Sequence, residues 1–247
     1  MSNSPLVTYK RLTKNRTRYR THKIDTITIH CYVGQVTAKQ GCDYFATTRR
    51  QVSSNYVVGH DGSIGLSVEE KHRAWTTGSR SNDHRAITIE VACDLKHPYK
   101  VTSKAYKALI NLIADICKRN KIKELKWGAD KSLIGKPAKQ NMTVHRWFQN
   151  TDCPGEYLYD RMGDIAGKVN EMLKPTKGSL GTVTVKTKGS SLNCRKEPSM
   201  TSKKLGQFKN GRKLAIVEKT NRKWYRVKGK SIAGPIIIGY VSTKYLV

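Results

Sequence analysis

Acidic residues are scarce in this chain: 18 Asp and Glu stand against 47 Lys and Arg in 247 residues, a formal charge of +29. Such an excess repels itself and points to a polyanionic partner: nucleic acid, an anionic membrane or an anionic wall polymer. Long apolar runs are also missing. The longest, around Ala108 to Ile116 and Ile232 to Val241, fall short of the roughly 18 to 20 residues that cross a bilayer, so membrane insertion is not expected. The basic start, MSNSPLVTYKRLTKNRTRYR, has no apolar segment and small-residue cleavage site after it. No secretory signal is therefore expected, and the protein is expected to be made in the cytoplasm. Finally, the six cysteines (Cys31, Cys42, Cys93, Cys117, Cys153, Cys194) form no CxxC pair. That argues against a zinc ribbon or a dense disulfide framework and makes most of them small buried apolar residues.

What is present is enough chain for two small domains, each with a core of its own. The segment KPTKGSLG at 174 to 181 reads as a linker. We therefore expect domains at 1–174 and 181–247, joined by 175–180. Charge divides unevenly between them: residues 1–174 hold 30 basic and 16 acidic side chains (+14), and residues 181–247 hold 16 and 2 (+14). The shorter domain is the denser in charge, which suits binding. Upstream, Tyr106, Leu109, Ile110, Ile113, Ile116 and Cys117 recur at helical spacing behind Thr102 or Ser103 as N-cap, and Met162 to Leu173 repeats the pattern. Apolar β-rich runs at Ile24–Tyr32, Asn55–His60, Ser63–Val68, Ala86–Val91 and Met142–His145 complete an α/β layer fold, a central mixed sheet flanked by helices. Downstream, TVTVKT, KLAIVEKT, KWYRVK and PIIIGYV with an Asn210-Gly211 turn read as a small all-β barrel.

Three strands of the first domain share a pattern. Side chains alternate along a strand, so Thr28 and His30 share one face, Thr88 and Glu90 another, and Thr143 and His145 a third, opposite Ile27, Ile29 and Cys31, Ile87, Ile89 and Val91, and Met142 and Val144. Each strand delivers one ionisable residue near its C-terminal end, where open α/β sheets place their sites. Cys153 follows eight residues after His145. Two imidazoles and a thiolate make a three-ligand zinc site with one position open, the arrangement of catalytic zinc. From spacing alone, the same residues also read as packed histidines and a buried thiol. Cys31 is expected to face away from His30 and is not counted as a ligand.

The motifs TITIHCYVG, SSNYVVGHDGSI, RAWTTG, RAITIEVACD and TVHRWFQNTDCPG, in that order, resemble the type 2 N-acetylmuramoyl-L-alanine amidases of the peptidoglycan-recognition-protein-like fold, from about Ile24 to Leu173. The resemblance implies Zn2+ held by His30, His145 and Cys153, Glu90 as the acidic catalytic residue, and Thr151 at a position that donates to the developing oxyanion. It implies hydrolysis of the amide between N-acetylmuramic acid and the L-alanine of the stem peptide. Relatives that have lost catalysis typically replace the metal Cys, so Cys153 favours an active enzyme over a module that only recognises peptidoglycan. The chain departs from the family at Ser54, where some members carry a pocket Tyr (Tyr56 stands two residues on), at Trp75-Thr76-Thr77-Gly78 and at His84.

The tail, SLNCRKEPSM through IGYVSTKYL, resembles bacterial SH3-like wall-binding domains, with Leu192, Asn193, Arg195, Gly211, Trp224, Tyr225, Gly239, Tyr240, Val241 and Tyr245 in order. Cys194 stands at an aliphatic core position and Trp224, Tyr225 and Tyr245 at core or rim. Together the two resemblances imply a peptidoglycan hydrolase acting at the bacterial wall, with anionic wall polymers such as teichoic acids as a second partner. The missing signal fits a phage or prophage endolysin better than a secreted autolysin. A basic nucleic-acid-binding protein would account for the charge but not for the His, Glu, His, Cys series, and no nucleic acid is expected as partner.

Overall fold

Ile27, Ile29, Ile87 and Ile89 alternate with polar residues along two neighbouring strands, and that alternation builds the first layer of the molecule. The computed structural model describes residues 2–174 and 180–247, which form two units, Met1–Leu173 and Lys174–Val247. Of the expected linker 175–180, all but Leu180 lies outside the described residues.

The first unit runs β1 (Tyr9–Lys10), β2 (Arg16–Thr17), β3 (Thr26–Val33), α1 (Ala38–Thr47), β4 (Tyr56–Val58), β5 (Ile64–Leu66), β6 (Arg73–Ala74), α2 (Arg80–Arg85), β7 (Ala86–Cys93), α3 (Ser103–Arg119), β8 (Met142–Val144), α4 (Glu156–Tyr159) and α5 (Met162–Leu173). Its main sheet is ordered β1-β5-β4-β7-β3-β8, with β3 parallel to β7 and β8, β4 parallel to β7, and β4 antiparallel to β5. The β4–β5 connection turns at Gly62, whose φ of 86° is open to glycine at no steric cost. This is the mixed sheet with helices that the strand pattern predicts.

One face of the sheet is dry. Ile27, Ile29, Ile87 and Ile89 pack with Leu109, Leu112, Ile113 and Ile116 of α3 and Ile165 and Val169 of α5. Each such side chain contributes roughly 1.5–3 kcal/mol by leaving water. Thr102 caps α3, accepting from the Ala105 N–H at 3.1 Å. The other face is split. Near the β4–β5 edge, α1 covers it with Cys42 and Phe45 against Val57. Beneath β3, β7 and β8 it is polar but closed: Thr28 and Thr143 hydroxyls meet at 2.7 Å, and Asn82 donates to Thr28 and accepts from Thr143, both at 3.1 Å. The buried hydroxyls are thereby satisfied, and they tie β3, β8 and α2 together.

The second unit is wholly β: β9 (Thr182–Thr184), β10 (Leu192–Arg195), β11 (Lys204–Phe208), β12 (Lys213–Lys219), β13 (Trp224–Lys230) and β14 (Ile236–Ser242), antiparallel in the order β11-β10-β14-β13-β12-β9. Val185, Leu192, Cys194, Phe208, Leu214, Val227 and Val241 form its core. Cys194 is fully buried there, as the apolar reading of that position expects.

Candidate active site

Parallel pairing sets His30 of β3 opposite Glu90 of β7, and pairing of Ile29 with Val144 brings His145, the next residue after β8, alongside them. Cys153 comes back to the same place on a turn. The Arg146 N–H donates to the Cys153 carbonyl at 3.0 Å, and the Thr151 hydroxyl accepts from the Cys153 N–H at 3.3 Å. Arg146 reinforces this turn by donating to the Asp152 carbonyl (2.6 Å) and to Glu156 (3.2 Å).

The result is a tight cluster. Ligand atoms of His30, His145 and Cys153 all lie within 4.8 Å of one another, and no other group of this kind occurs among the described residues. The imidazole rings of His30 and His145 are 4.9 Å apart, and Cys153 Sγ is 3.4 Å from His30 Nδ1. A tetrahedral ion with bonds of about 2.0–2.1 Å to nitrogen and about 2.3 Å to sulfur spaces N and S about 3.5 Å apart, so the residues present fit zinc.

Electrostatics favour the ligand form at His30. Burial, then the neighbouring His145, holds His30 well below the usual histidine range, which leaves a neutral imidazole with a free lone pair. Burial, then the Cys31 side chain and the charge of Glu90, pushes the Cys153 thiol well up, and the Cys31 N–H, donating to its sulfur at 3.4 Å, only partly opposes that. Glu90 Oε1 stands 3.9 Å from His30 Nδ1 with its side chain 15% exposed. Burial, then the charge of Cys31, pushes its carboxyl up to about 8. No Lys or Arg pairs with Glu90 among the described residues, so it is not a surface ion-pair partner.

Glu90 and His145 line a cavity of about 480 Å3 whose remaining walls include Tyr32, Tyr44, Phe45 and Trp75. Cys31 is also among its lining residues, while its side chain packs against the dry core with Ile27 and Ile29, on the side away from His30 as the strand alternation expects. Cys31 is not in the metal cluster. The positions where the chain departs from the family pattern divide in two. Thr76 lines the cavity and donates to the Ser53 carbonyl at 2.7 Å. Ser54, Tyr56 and His84 do not line it: Ser54 is buried and donates to the Thr88 carbonyl at 2.9 Å, Tyr56 donates to Glu70 at 2.6 Å, and the His84 ring accepts from the Thr21 N–H at 3.1 Å.

One participant is silent in the sequence. Gln149 Oε1 accepts from His145 Nε2 at 3.0 Å, which leaves Nδ1 with the lone pair for the cluster. Gly78 makes room for it: a Cβ there would collide with the Gln149 amide. The spacing of Gln149 four residues after His145 was the available clue.

Comparison with known proteins agrees with this architecture. A family model described as N-acetylmuramoyl-L-alanine amidase matches residues 20–156, and one described as bacterial SH3 domain matches residues 190–247. Similar solved structures include PlyL (18% identity over 65% of this chain and 95% of that one, TM-score 0.49). A mutant endolysin from Bacillus subtilis (17%, 66% and 99%, 0.49) and a derivative of AmpD (16%, 66% and 96%, 0.49) are similar to the same degree. No curated protein matches the chain.

Proposed function

The chain belongs to the N-acetylmuramoyl-L-alanine amidase family, and we propose that it works as a zinc-dependent endolysin, cutting the amide between the lactyl group of N-acetylmuramic acid and L-alanine. The observation that carries the reading is the convergence of two imidazoles and a thiol within 4.8 Å, beside a carboxyl that no cation neutralises.

In this reading His30, His145 and Cys153 hold the zinc, which supplies Lewis acidity toward water and the amide carbonyl. Glu90 accepts the proton that the attacking water loses as the C–O bond forms, and delivers it to the amine nitrogen as the C–N bond breaks. A carboxyl on the cavity wall with a raised proton affinity suits both halves of that transfer. Thr151 accepts a backbone N–H through its hydroxyl oxygen, so its own proton is free to donate to the carbonyl oxygen as negative charge grows there. The SH3-like unit, with +14 over residues 181–247, holds the enzyme on the wall, where teichoic acids offer phosphate charge.

The deciding experiment is incubation of the full chain with purified peptidoglycan, followed by assay of new amino termini and of reducing sugar. New L-alanine amino termini without new reducing ends support the amidase reading. Wall binding with neither product overturns it in favour of a recognition module.

A further inference from the structure

The turn that joins β13 to β14 lacks the polar side chains that turns ordinarily carry. Ile232, Ala233, Gly234, Pro235 and Ile236 follow one another and are all exposed, Ile232 at 57% and Ile236 at 66%. An exposed apolar run of this kind is unfavourable in water and marks a binding surface. The turn is nevertheless firmly held. The Ser231 N–H donates to the Pro235 carbonyl at 2.9 Å, the Gly234 N–H to the Ser231 carbonyl at 3.2 Å, and the Ile232 N–H to the Gln207 carbonyl of β11 at 2.9 Å. Gly234, with a φ of 105°, supplies the positive backbone angle that the turn requires. Backbone bonds therefore fix the tip and leave its apolar side chains in water.

Behind the tip the charge is of one sign. Register sets Lys230 opposite Ile236 and Lys228 opposite Ile238, and directly opposite residues of paired strands share a face of the sheet. Ile238 and both lysines are exposed as well, so the outward face sets isoleucine beside lysine in two successive pairs. The barrel's two carboxylates, Glu197 and Glu218, make no ion pair with either lysine. This combination selects a partner. A second copy would bring like charges together around the apolar contact. A soluble phosphate polymer would meet the lysines and leave the isoleucines in water. An anionic bilayer offers phosphates at its surface and hydrocarbon just beneath, which is the order of the lysines and the tip.

We propose that the tip of the β13–β14 hairpin docks on an anionic phospholipid bilayer. Ile232, Pro235 and Ile236 enter the boundary between headgroups and acyl chains, and Lys228 and Lys230 meet the lipid phosphates with their stems along the apolar layer. No spanning helix is involved, and no described helix is long and apolar enough to be one. The contact lies in the second unit and requires nothing of the metal cluster, so it stands or falls apart from the amidase reading.

The test is sedimentation of the full chain with sucrose-loaded vesicles at physiological salt, the vesicles being phosphatidylcholine alone or an equal mixture with phosphatidylglycerol. The mixed vesicles should carry the chain down, and the neutral ones should not. Ile232→Ser combined with Ile236→Thr changes no charge and keeps a β-branched residue in the strand. That variant should bind the mixed vesicles about tenfold or more weakly. Lys228→Ser combined with Lys230→Ser should weaken binding by about tenfold as well. If the isoleucine pair fails to fold, Ile232→Ser alone, at a turn position, should still weaken binding by about threefold. No binding to mixed vesicles, equal binding to neutral ones, or undiminished binding by the isoleucine variant overturns the proposal. Sedimentation equilibrium of the chain without vesicles is read alongside. A dimer that the isoleucine variant abolishes makes the tip a self-interface and also overturns it.

Discussion

In the zinc site proposed above, a hydrogen bond from His145 Nε2 to the Gln149 amide oxygen leaves Nδ1 of His145 to serve as the ligand. Gln149 is thus a positioning residue, acting through His145. Gln149→Ala should lower zinc affinity by about tenfold, the lower end of what partners of a ligand contribute. Titration against a chelator of known affinity measures this, and unchanged affinity would show that the bond has no such role. The ligands themselves should behave differently. Cys153→Ser or His145→Ala should lose zinc and hydrolysis together, because each supplies one of only three protein donors. Elemental analysis beside a turnover assay checks both losses. Glu90→Gln should retain full zinc and fall by about 10²-fold or more in turnover, the usual scale for a general acid–base group. Near-normal turnover in a zinc-replete Glu90→Gln protein would remove Glu90 from the reaction.

Among the elements, α3 joins the dry core to a buried polar network. Its last residue, Arg119, donates to both oxygens of Glu70 at 2.6 and 2.9 Å, and Tyr56 of β4 donates to the same carboxylate at 2.6 Å. Glu70 is almost wholly buried, at 1% side-chain exposure. Arg119→Ala would therefore strand a buried carboxylate, and we expect a loss of about 3 kcal/mol in the stability of the first unit. Urea denaturation followed by tryptophan fluorescence reports on this unit, since Trp75, Trp127 and Trp147 lie in it and only Trp224 lies outside. A loss below about 1 kcal/mol would mean that water or a shifted lysine replaces the guanidinium.

For the whole molecule, each unit has its own core and its own strand pairing. A protein of residues 1–174 should still cleave soluble muropeptides, since the metal cluster and cavity are complete within it. Its lysis of intact cells should fall, because the wall-binding unit no longer raises the local enzyme concentration. Turbidity loss of cell suspensions beside a soluble-substrate assay compares the two. Wall pelleting of the isolated 181–247 barrel should weaken from low to physiological salt, where the Debye length shortens to about 8 Å. A barrel that stays in the supernatant at low salt while 1–174 pellets would reverse the assignment.

The sequence by itself determined the dry face of the sheet, the two long helices, the division into an α/β part and an all-β part, and the cluster of His30, His145 and Cys153. The first three depend on side-chain period and composition, which are local properties; the cluster joins residues 123 positions apart and was legible only through the resemblance carried by the ordered motifs, since spacing alone left it open. It left β10 and β11 unseen as strands, because Leu192–Arg195 and Lys204–Phe208 are short and weakly patterned and become strands by pairing with each other and, for β10, with β14. The edge strands β1, β2 and β6, two residues each, were invisible for the same reason. Only the tertiary structure put Thr76 on the cavity wall, Gln149 behind His145 and Arg119 against Glu70. Each of those facts depends on which distant side chains arrive at one point in space, and linear spacing does not record that.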